Sequence, residues 1–138
     1  MIPERLRREV IERAQNQCEY CRSQAAFCPD PFSIEHVIPR SQQGESDSGN
    51  LALACQGCNN AKYTSTTGID PLTNLLQPLF HPRQDRWIDH FVWSADGLEI
   101  IGVTPTGRAT VERLRLNRDS VVGWRRLAQA FGIHPPLP

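Results

Sequence analysis

Two pairs of cysteines, each pair separated by two residues, constrain the fold of this chain more than any other feature. Cys18 pairs with Cys21, and Cys55 pairs with Cys58. Zn²⁺ prefers four soft ligands in a tetrahedron, and each C-x-x-C offers two thiolates from one tight turn. The gap between the pairs is longer than in a simple zinc ribbon, so it must contain structure of its own. The sequence therefore predicts one structural zinc that joins the two ends of a folded insertion.

Two disulfides, or four ordinary buried thiols, are the alternative interpretations of these cysteines. Zinc is favoured because no secretory signal is seen at the N-terminus and because C-x-x-C spacing suits a metal better than a disulfide. The fifth cysteine, Cys28, has no such partner, and we interpret it as a small buried hydrophobe or a bystander thiol. No stretch is apolar enough to span a membrane, so a reducing cytoplasm is the expected compartment.

The insertion and its flank carry side chains that suit phosphodiester hydrolysis. Glu35 and His36 are adjacent in a short apolar run, Asn50 precedes a second apolar run, and Asn59 and Lys62 follow the second cysteine pair. The reaction needs a base for the attacking water and a cation for the charge on the leaving oxygen. An unperturbed histidine titrates near pH ~6.5 and can accept that proton. Carboxylate and amide oxygens are ligands that Mg²⁺ accepts.

Taken together, these motifs resemble the HNH endonuclease family, in the subgroup with a four-cysteine zinc. The resemblance covers residues 18 to 62, under half of the chain, and its elements occur in the family's order. Glu35 stands where the family often has Asp, and Asn59 stands where it often has a third His, which makes this chain an HNN variant. The matching residues are Cys18-x-x-Cys21, Glu35-His36-Val37-x-Pro39, Asn50-Leu51 and Cys55-x-x-Cys58-Asn59-x-x-Lys62.

The resemblance implies a metal-dependent endonuclease that hydrolyses DNA. It implies His36 as the general base, and Glu35 with Asn59 as the ligands of a catalytic Mg²⁺ or Mn²⁺. In the family role, the side-chain amide of Asn50 pins the loop backbone and so orients His36. Strand alternation would place residues 35 and 36 on opposite faces, and a β-bulge or the end of the strand could relieve this conflict.

Each of these assignments has a structural alternative. His36 could be a satisfied core histidine, and Asn59 could be a polar cap at a helix N-terminus. Lys62 lies about one helical turn beyond Asn59 and could contact a phosphate, with a salt bridge as the alternative. Arg40, near the end of the first strand, is a second candidate for a phosphate contact.

The whole chain is predicted to be a single α+β domain, residues 1–138, and the resemblance implies a ββα-metal core over residues 18–66. Residues 83–138 are predicted to be an extension, a hairpin and two helices packed on that core. Residues 68–82 are expected to be irregular. Individual elements are predicted as a helix at 3–15, strands at 32–38 and 51–54, a helix at 58–66, a hairpin around Asp96-Gly97, a helix at 108–114 capped by Thr106, and a helix at 119–131.

The formal net charge is zero, which argues against a protein that coats nucleic acid by bulk electrostatics. An arginine-rich C-terminal part beside a carboxylate-bearing metal site nevertheless suits a nucleic acid, and DNA is the expected partner of a monomer or homodimer. Solvated helix faces are the alternative for these arginines. The alternative function is a non-catalytic zinc module that binds nucleic acid or protein. The arginines in question are Arg108, Arg113, Arg115, Arg118, Arg125 and Arg126.

Overall fold

The computed structural model describes residues 2–136, and contacts within it divide the chain into two compact units. The first unit contains the described residues through Thr66 and the segment His81–Arg86. The second unit contains Thr67–Phe80 and the described residues from Trp87 onward. Helices and small antiparallel sheets occur in both units, which confirms the predicted α+β class. The single-domain organisation stays a prediction, and its residues 1, 137 and 138 lie outside the described part.

The first unit contains the predicted strand–loop–strand–helix order. Helix α1 spans Glu4–Arg13, strand β1 spans Ser33–His36, strand β2 spans Leu51–Ala54, and helix α2 spans Gln56–Lys62. The two strands pair antiparallel in a four-residue register. This hairpin followed by α2 is the ββα arrangement expected of the core.

One face of the β1–β2 hairpin packs against α1. Val10 of α1 and Ala14, the residue directly after the helix, form a buried cluster with Leu51 and Leu53 of β2, and Ile34 of β1 packs against it. Side chains alternate between the two faces of a strand, so residues two apart share this apolar face. The apolar side of the amphipathic α1 therefore seals one surface of the hairpin, while the other surface is left for α2 and the cysteines.

The second unit corrects the prediction that residues 68–82 are irregular. Strand β3, Thr67–Ile69, and strand β4, Leu76–Pro78, pair as a short antiparallel hairpin. Asp70 organises the turn, because its carboxylate accepts hydrogen bonds from the Leu72 N–H and from Nε and Nη2 of Arg108, each at 2.9 Å. Strands of three residues are too short to show alternation, so the sequence pattern could not reveal them.

The predicted hairpin around Asp96-Gly97 is confirmed. Strand β5, Phe91–Trp93, pairs antiparallel with strand β6, Ile100–Gly102. Gly97 has a φ of 75°, a left-handed conformation that glycine adopts without strain. A one-turn helix, α3, at Trp87–His90 leads directly into β5.

Two longer helices, α4 and α5, complete the second unit. Helix α4 spans Pro105–Leu114 and helix α5 spans Asp119–Ala130. The predicted cap of α4 is wrong: Thr104, not Thr106, caps the helix, because its hydroxyl accepts the Gly107 N–H at 2.9 Å. Proline follows this cap at the first helical position, where its missing N–H costs nothing. None of the helices in residues 2–136 has the length and apolar composition needed to cross a membrane.

Two of the C-terminal arginines are structural rather than surface groups. Arg125 is fully buried and donates to the carbonyl oxygens of Leu98 and Leu116, at 2.9 and 2.7 Å. Arg108 is held by the carboxylate of Asp70, and this pairing keeps the pKa of Asp70 below its usual range. Buried Arg125 therefore fits neither the proposed nucleic-acid surface nor the solvated-face alternative, whereas Arg108 is partly exposed and held in a structural ion pair.

Candidate metal centre and catalytic site

The four cysteines of the C-x-x-C pairs converge on one point. Their sulfur atoms lie within 4.8 Å of one another, all four residues are buried, and the thiols are free. The sulfurs of Cys21 and Cys55 are 3.6 Å apart. Zn–S bonds of ~2.3 Å in a tetrahedron place sulfurs about 3.8 Å apart, whereas a disulfide needs ~2.05 Å. The cluster can therefore hold one tetrahedral ion such as zinc, and the two-disulfide alternative is wrong.

Local backbone geometry prepares each cysteine pair for a metal. The Cys21 N–H points at the Cys18 sulfur at 3.5 Å, and the Cys58 N–H points at the Cys55 sulfur at 3.4 Å. Cys55 is thereby the N-cap of α2. The helix begins at Gln56, earlier than predicted, so the alternative in which Asn59 caps the helix is wrong.

The pleat of β1 places Glu35 and His36 on opposite faces. Four consecutive pairs with β2 run without interruption, so the β-bulge considered from the sequence does not occur in this strand. His36 is the last residue of β1 and faces the same side as Leu51, its partner in the register. The side chains of Glu35 and His36 therefore lie on different surfaces of the hairpin.

Glu35 is buried in a polar contact between β1 and α2. Its side chain accepts a hydrogen bond from the Tyr20 hydroxyl and lies 3.5 Å from the Lys62 ammonium. Burial raises the pKa of Glu35, and the positive charge of Lys62 opposes that shift. Burial, together with the charge of Glu35, raises the pKa of Tyr20. This surface of the hairpin thus holds a carboxylate whose charge is balanced by a neighbouring cation.

His36 is half-buried at the other surface, and its ring is held by the loop that joins the strands. Its Nε2 lies 2.7 Å from the hydroxyl oxygen of Ser46. Within residues 2–136, no hydrogen-bond partner is found for Nδ1. Burial lowers the pKa of His36, and the nearby charge of Arg40 lowers it further. The imidazole is therefore neutral near pH 7 and has one ring nitrogen available to accept a proton.

Asn50 holds the loop between β1 and β2 through all of its side-chain amide atoms. Its Oδ1 accepts the Ile38 N–H at 2.9 Å, and its Nδ2 donates to the carbonyls of Ile38 and Glu45 at 2.9 and 3.0 Å. Gly44 packs against the same point, where a Cβ would lie only 1.7 Å from the Ile38 oxygen. A side chain at position 44 would displace the loop. The Asn50 hydrogen bonds and the close approach of Gly44 therefore fix the loop backbone that precedes Ser46, the residue in contact with His36.

Asn59 lies on helix α2, whereas Arg40 lies in the turn that follows β1. Asn59 is half-buried on α2, one turn before Lys62, and no partner for its side-chain amide is found in the part of the chain that the structure describes. Residues three apart on a helix share a face, so this amide lies on the side of α2 that contacts Glu35. Arg40 is exposed in a 3-10 turn that follows β1.

The HNH endonuclease family model matches residues 18–65. This segment is similar to that family, and residues 18–65 are called the HNH segment below. The match covers the four cysteines and extends three residues beyond the resemblance seen in the motifs. A comparison with curated proteins finds no match.

Lys62 of the HNH segment is a buried partner rather than a surface cation in this structure. Its side chain is 1% exposed, and its ammonium donates to the Val37 carbonyl at 2.8 Å while pairing with Glu35. The salt bridge considered as an alternative is thus present. A phosphate contact at Lys62 stays a prediction, and it would require the ammonium to leave this pair.

Replacing Lys62 by Met is expected to lower the free energy of unfolding by about 3–5 kcal/mol, because Glu35 is then buried without a counter-ion. Urea unfolding followed by circular dichroism measures this loss. Arg40→Met, which removes an exposed cation in the same unit, is the matched control and should change stability little. Wild-type stability of Lys62→Met together with weaker DNA binding would instead favour the phosphate contact.

Two contacting residues of the HNH segment were missed in the sequence. Tyr20 lies inside the first C-x-x-C, where nothing in the pattern distinguishes it from any buried aromatic residue. Ser46 is one of several serines in a polar loop. The sequence could not identify Tyr20 because its partner Glu35 is distant in the chain. It could not identify Ser46 because the conformation of the loop that brings it to His36 does not follow from the sequence pattern.

Proposed function

We propose that this protein is a metal-dependent endonuclease that hydrolyses phosphodiester bonds in DNA. The observation that carries the proposal is the position of His36 within the HNH segment. The imidazole is half-buried, its ring is held through Nε2, and its Nδ1 has no partner among residues 2–136. A held, neutral imidazole of this kind is suited to take a proton from a water that attacks phosphorus.

In this proposal His36 is the general base, and Asn50 is the residue that positions it. The Asn50 amide forms hydrogen bonds with both sides of the loop, at Ile38 and at Glu45. It therefore fixes the conformation of the loop that contacts the imidazole. A fixed ring lowers the entropic cost of aligning the base, the water and the phosphorus. The proton passes from the water to Nδ1 of His36 as the water oxygen forms the new bond to phosphorus. The bond between phosphorus and the leaving oxygen breaks, and that oxygen departs with the bonding electron pair.

Glu35 and Asn59 are the proposed ligands of a divalent ion, Mg²⁺ or Mn²⁺. Both offer hard oxygen donors, they lie on elements that face each other, and a positive charge is already accommodated beside Glu35 by the Lys62 ammonium. Such ions keep several waters and need few protein ligands. When bound, the ion would stabilise the charge on the leaving oxygen. The four cysteines would hold a separate, structural zinc.

Arg40 is the proposed phosphate contact. It is exposed, it follows the strand that ends at His36, and its charge is close enough to lower the pKa of that histidine. A guanidinium there can bind a phosphate oxygen beside the reacting group. A monomer with one such site would nick a duplex, and a homodimer could cut both strands.

The metal role of Glu35 is tested by titrating Mn²⁺ against nicking activity. Glu35→Gln keeps the volume and the hydrogen-bonding capacity of the side chain but removes its charge. We expect activity at low Mn²⁺ to fall by about tenfold or more and to recover partly as Mn²⁺ is raised, because a ligand has been weakened. Arg40→Gln, which removes a charge but no ligand, should show a loss that Mn²⁺ does not restore. Loss in folded Glu35→Gln at every Mn²⁺ concentration would contradict the ligand role.

A further inference from the structure

The only side-chain hydrogen bond of His36 within residues 2–136 is shared with a loop residue that no motif contains. The hydroxyl oxygen of Ser46 lies 2.7 Å from Nε2 of the imidazole, a short distance for a neutral pair. Both groups are only partly exposed, so water competes weakly for the bond. The contact spans ten residues of chain and closes the loop back onto the end of β1.

The position of Ser46 follows from the way the loop is built. Asn50, 8% exposed, donates to the carbonyl of Glu45, the residue directly before Ser46, at 3.0 Å. Gly44, on the other side of Glu45, lies so close to the Ile38 carbonyl that no side chain fits there. The backbone on the N-terminal side of Ser46 is therefore held by two independent contacts. These contacts fix the position from which the Ser46 hydroxyl reaches the imidazole.

We propose that Ser46 is a positioning residue for His36 in the nuclease reaction, accepting a hydrogen bond from Nε2–H and thereby leaving Nδ1 as the proton acceptor. An imidazole with its single proton on Nε2 has its lone pair on Nδ1. After Nδ1 takes the proton of the attacking water, Nε2–H still donates to Ser46, so the ring does not need to reorient during the step. The inference rests on the proposed function and adds to it the residue that sets the tautomer.

The kinetic test compares Ser46→Ala, Ser46→Thr and Ser48→Ala. Ser46→Ala should lower kcat for plasmid nicking by about three- to tenfold with KM unchanged, as expected for one neutral hydrogen bond that orients the base. Ser46→Thr keeps the hydroxyl and should restore most of the rate. Ser48→Ala removes a serine two residues away that has no side-chain hydrogen bond among residues 2–136, and should behave as wild type. Equal rates in Ser46→Ala and wild type, or no recovery in Ser46→Thr, would overturn the proposal.

A spectroscopic test does not depend on nuclease activity. Long-range ¹H–¹⁵N spectra of the histidine rings report which nitrogen carries the proton. For wild type at neutral pH we expect His36 to be a single tautomer protonated at Nε2, and Ser46→Ala to show averaging between the two tautomers. Protonation of His36 at Nδ1 in wild type would overturn the inference. If wild type proves inactive on DNA, the proposed function fails while these spectra still decide whether Ser46 holds the ring.

Discussion

Replacing His36 by Ala is expected to lower the rate of DNA nicking by roughly 10²–10⁴-fold, the usual contribution of a general base. No other side chain in the HNH segment combines a neutral, proton-accepting nitrogen with partial exposure to solvent: Glu35 is buried against Lys62, and Asn59 is not basic. The rate should be compared at saturating plasmid, with Mg²⁺ and with Mn²⁺, so that a binding defect is not mistaken for a chemical one.

The fold should survive this substitution. His36 is half-buried at the end of β1 and its only side-chain hydrogen bond among residues 2–136 is to Ser46, so the loss of stability should be small. His81→Ala is the matched control, because His81 is another half-buried histidine of the first unit and lies outside every motif. Wild-type activity in His36→Ala would remove the base from the mechanism. Equal losses in both variants would point to misfolding rather than chemistry.

Replacing Cys55 by Ser is expected to abolish tight zinc binding and to unfold the first unit. A structural zinc contributes its binding free energy to folding, ~10–16 kcal/mol in small zinc modules, which matches or exceeds the total stability of most domains. Serine keeps the N-cap of α2, because its hydroxyl can accept the Cys58 N–H as the Cys55 sulfur does. The substitution therefore removes a metal ligand without removing the capping acceptor, so the loss of stability reports the loss of the metal.

Zinc content and thermal unfolding measure this effect together. Wild type should carry one zinc per chain, and Cys55→Ser should carry none that survives dialysis. Cys28→Ser is the control, because Cys28 lies outside the four-cysteine cluster and burial raises the pKa of its thiol to about 11, so it stays protonated at neutral pH. Wild-type protein that folds without metal, or Cys28→Ser protein that loses zinc, would contradict the assignment of the four ligands.

The parts of the molecule that the sequence predicted share one property: they are determined by residue types at short, fixed separations in the chain. Two C-x-x-C pairs predict a four-sulfur site whatever the conformation of the residues between them, and the four cysteines do cluster in the structure. The same holds for β2 and for the hairpin around Asp96-Gly97, where apolar runs meet turn residues with a fixed backbone requirement.

The parts that were missed depend on partners distant in the chain. The Asp70 carboxylate organises β3 and β4 through Arg108, which is 38 residues away. A salt bridge at Lys62 was one of two interpretations of the sequence, but its partner, the buried Glu35, was not identified until the structure placed the two side chains together. Helical or strand periodicity predicts which face of an element a residue occupies, but it does not predict which other element packs against that face.

Nicking of a supercoiled plasmid by purified, zinc-loaded wild-type protein tests the central claim most directly. The assay is run with Mg²⁺, with Mn²⁺ and with EDTA in place of both, on DNA and on an RNA duplex of matched length. Conversion of the plasmid to open circles with either ion, and none in EDTA, is the predicted result. Protein that carries its zinc yet leaves DNA and RNA intact with both ions would contradict the account and would favour a non-catalytic zinc module.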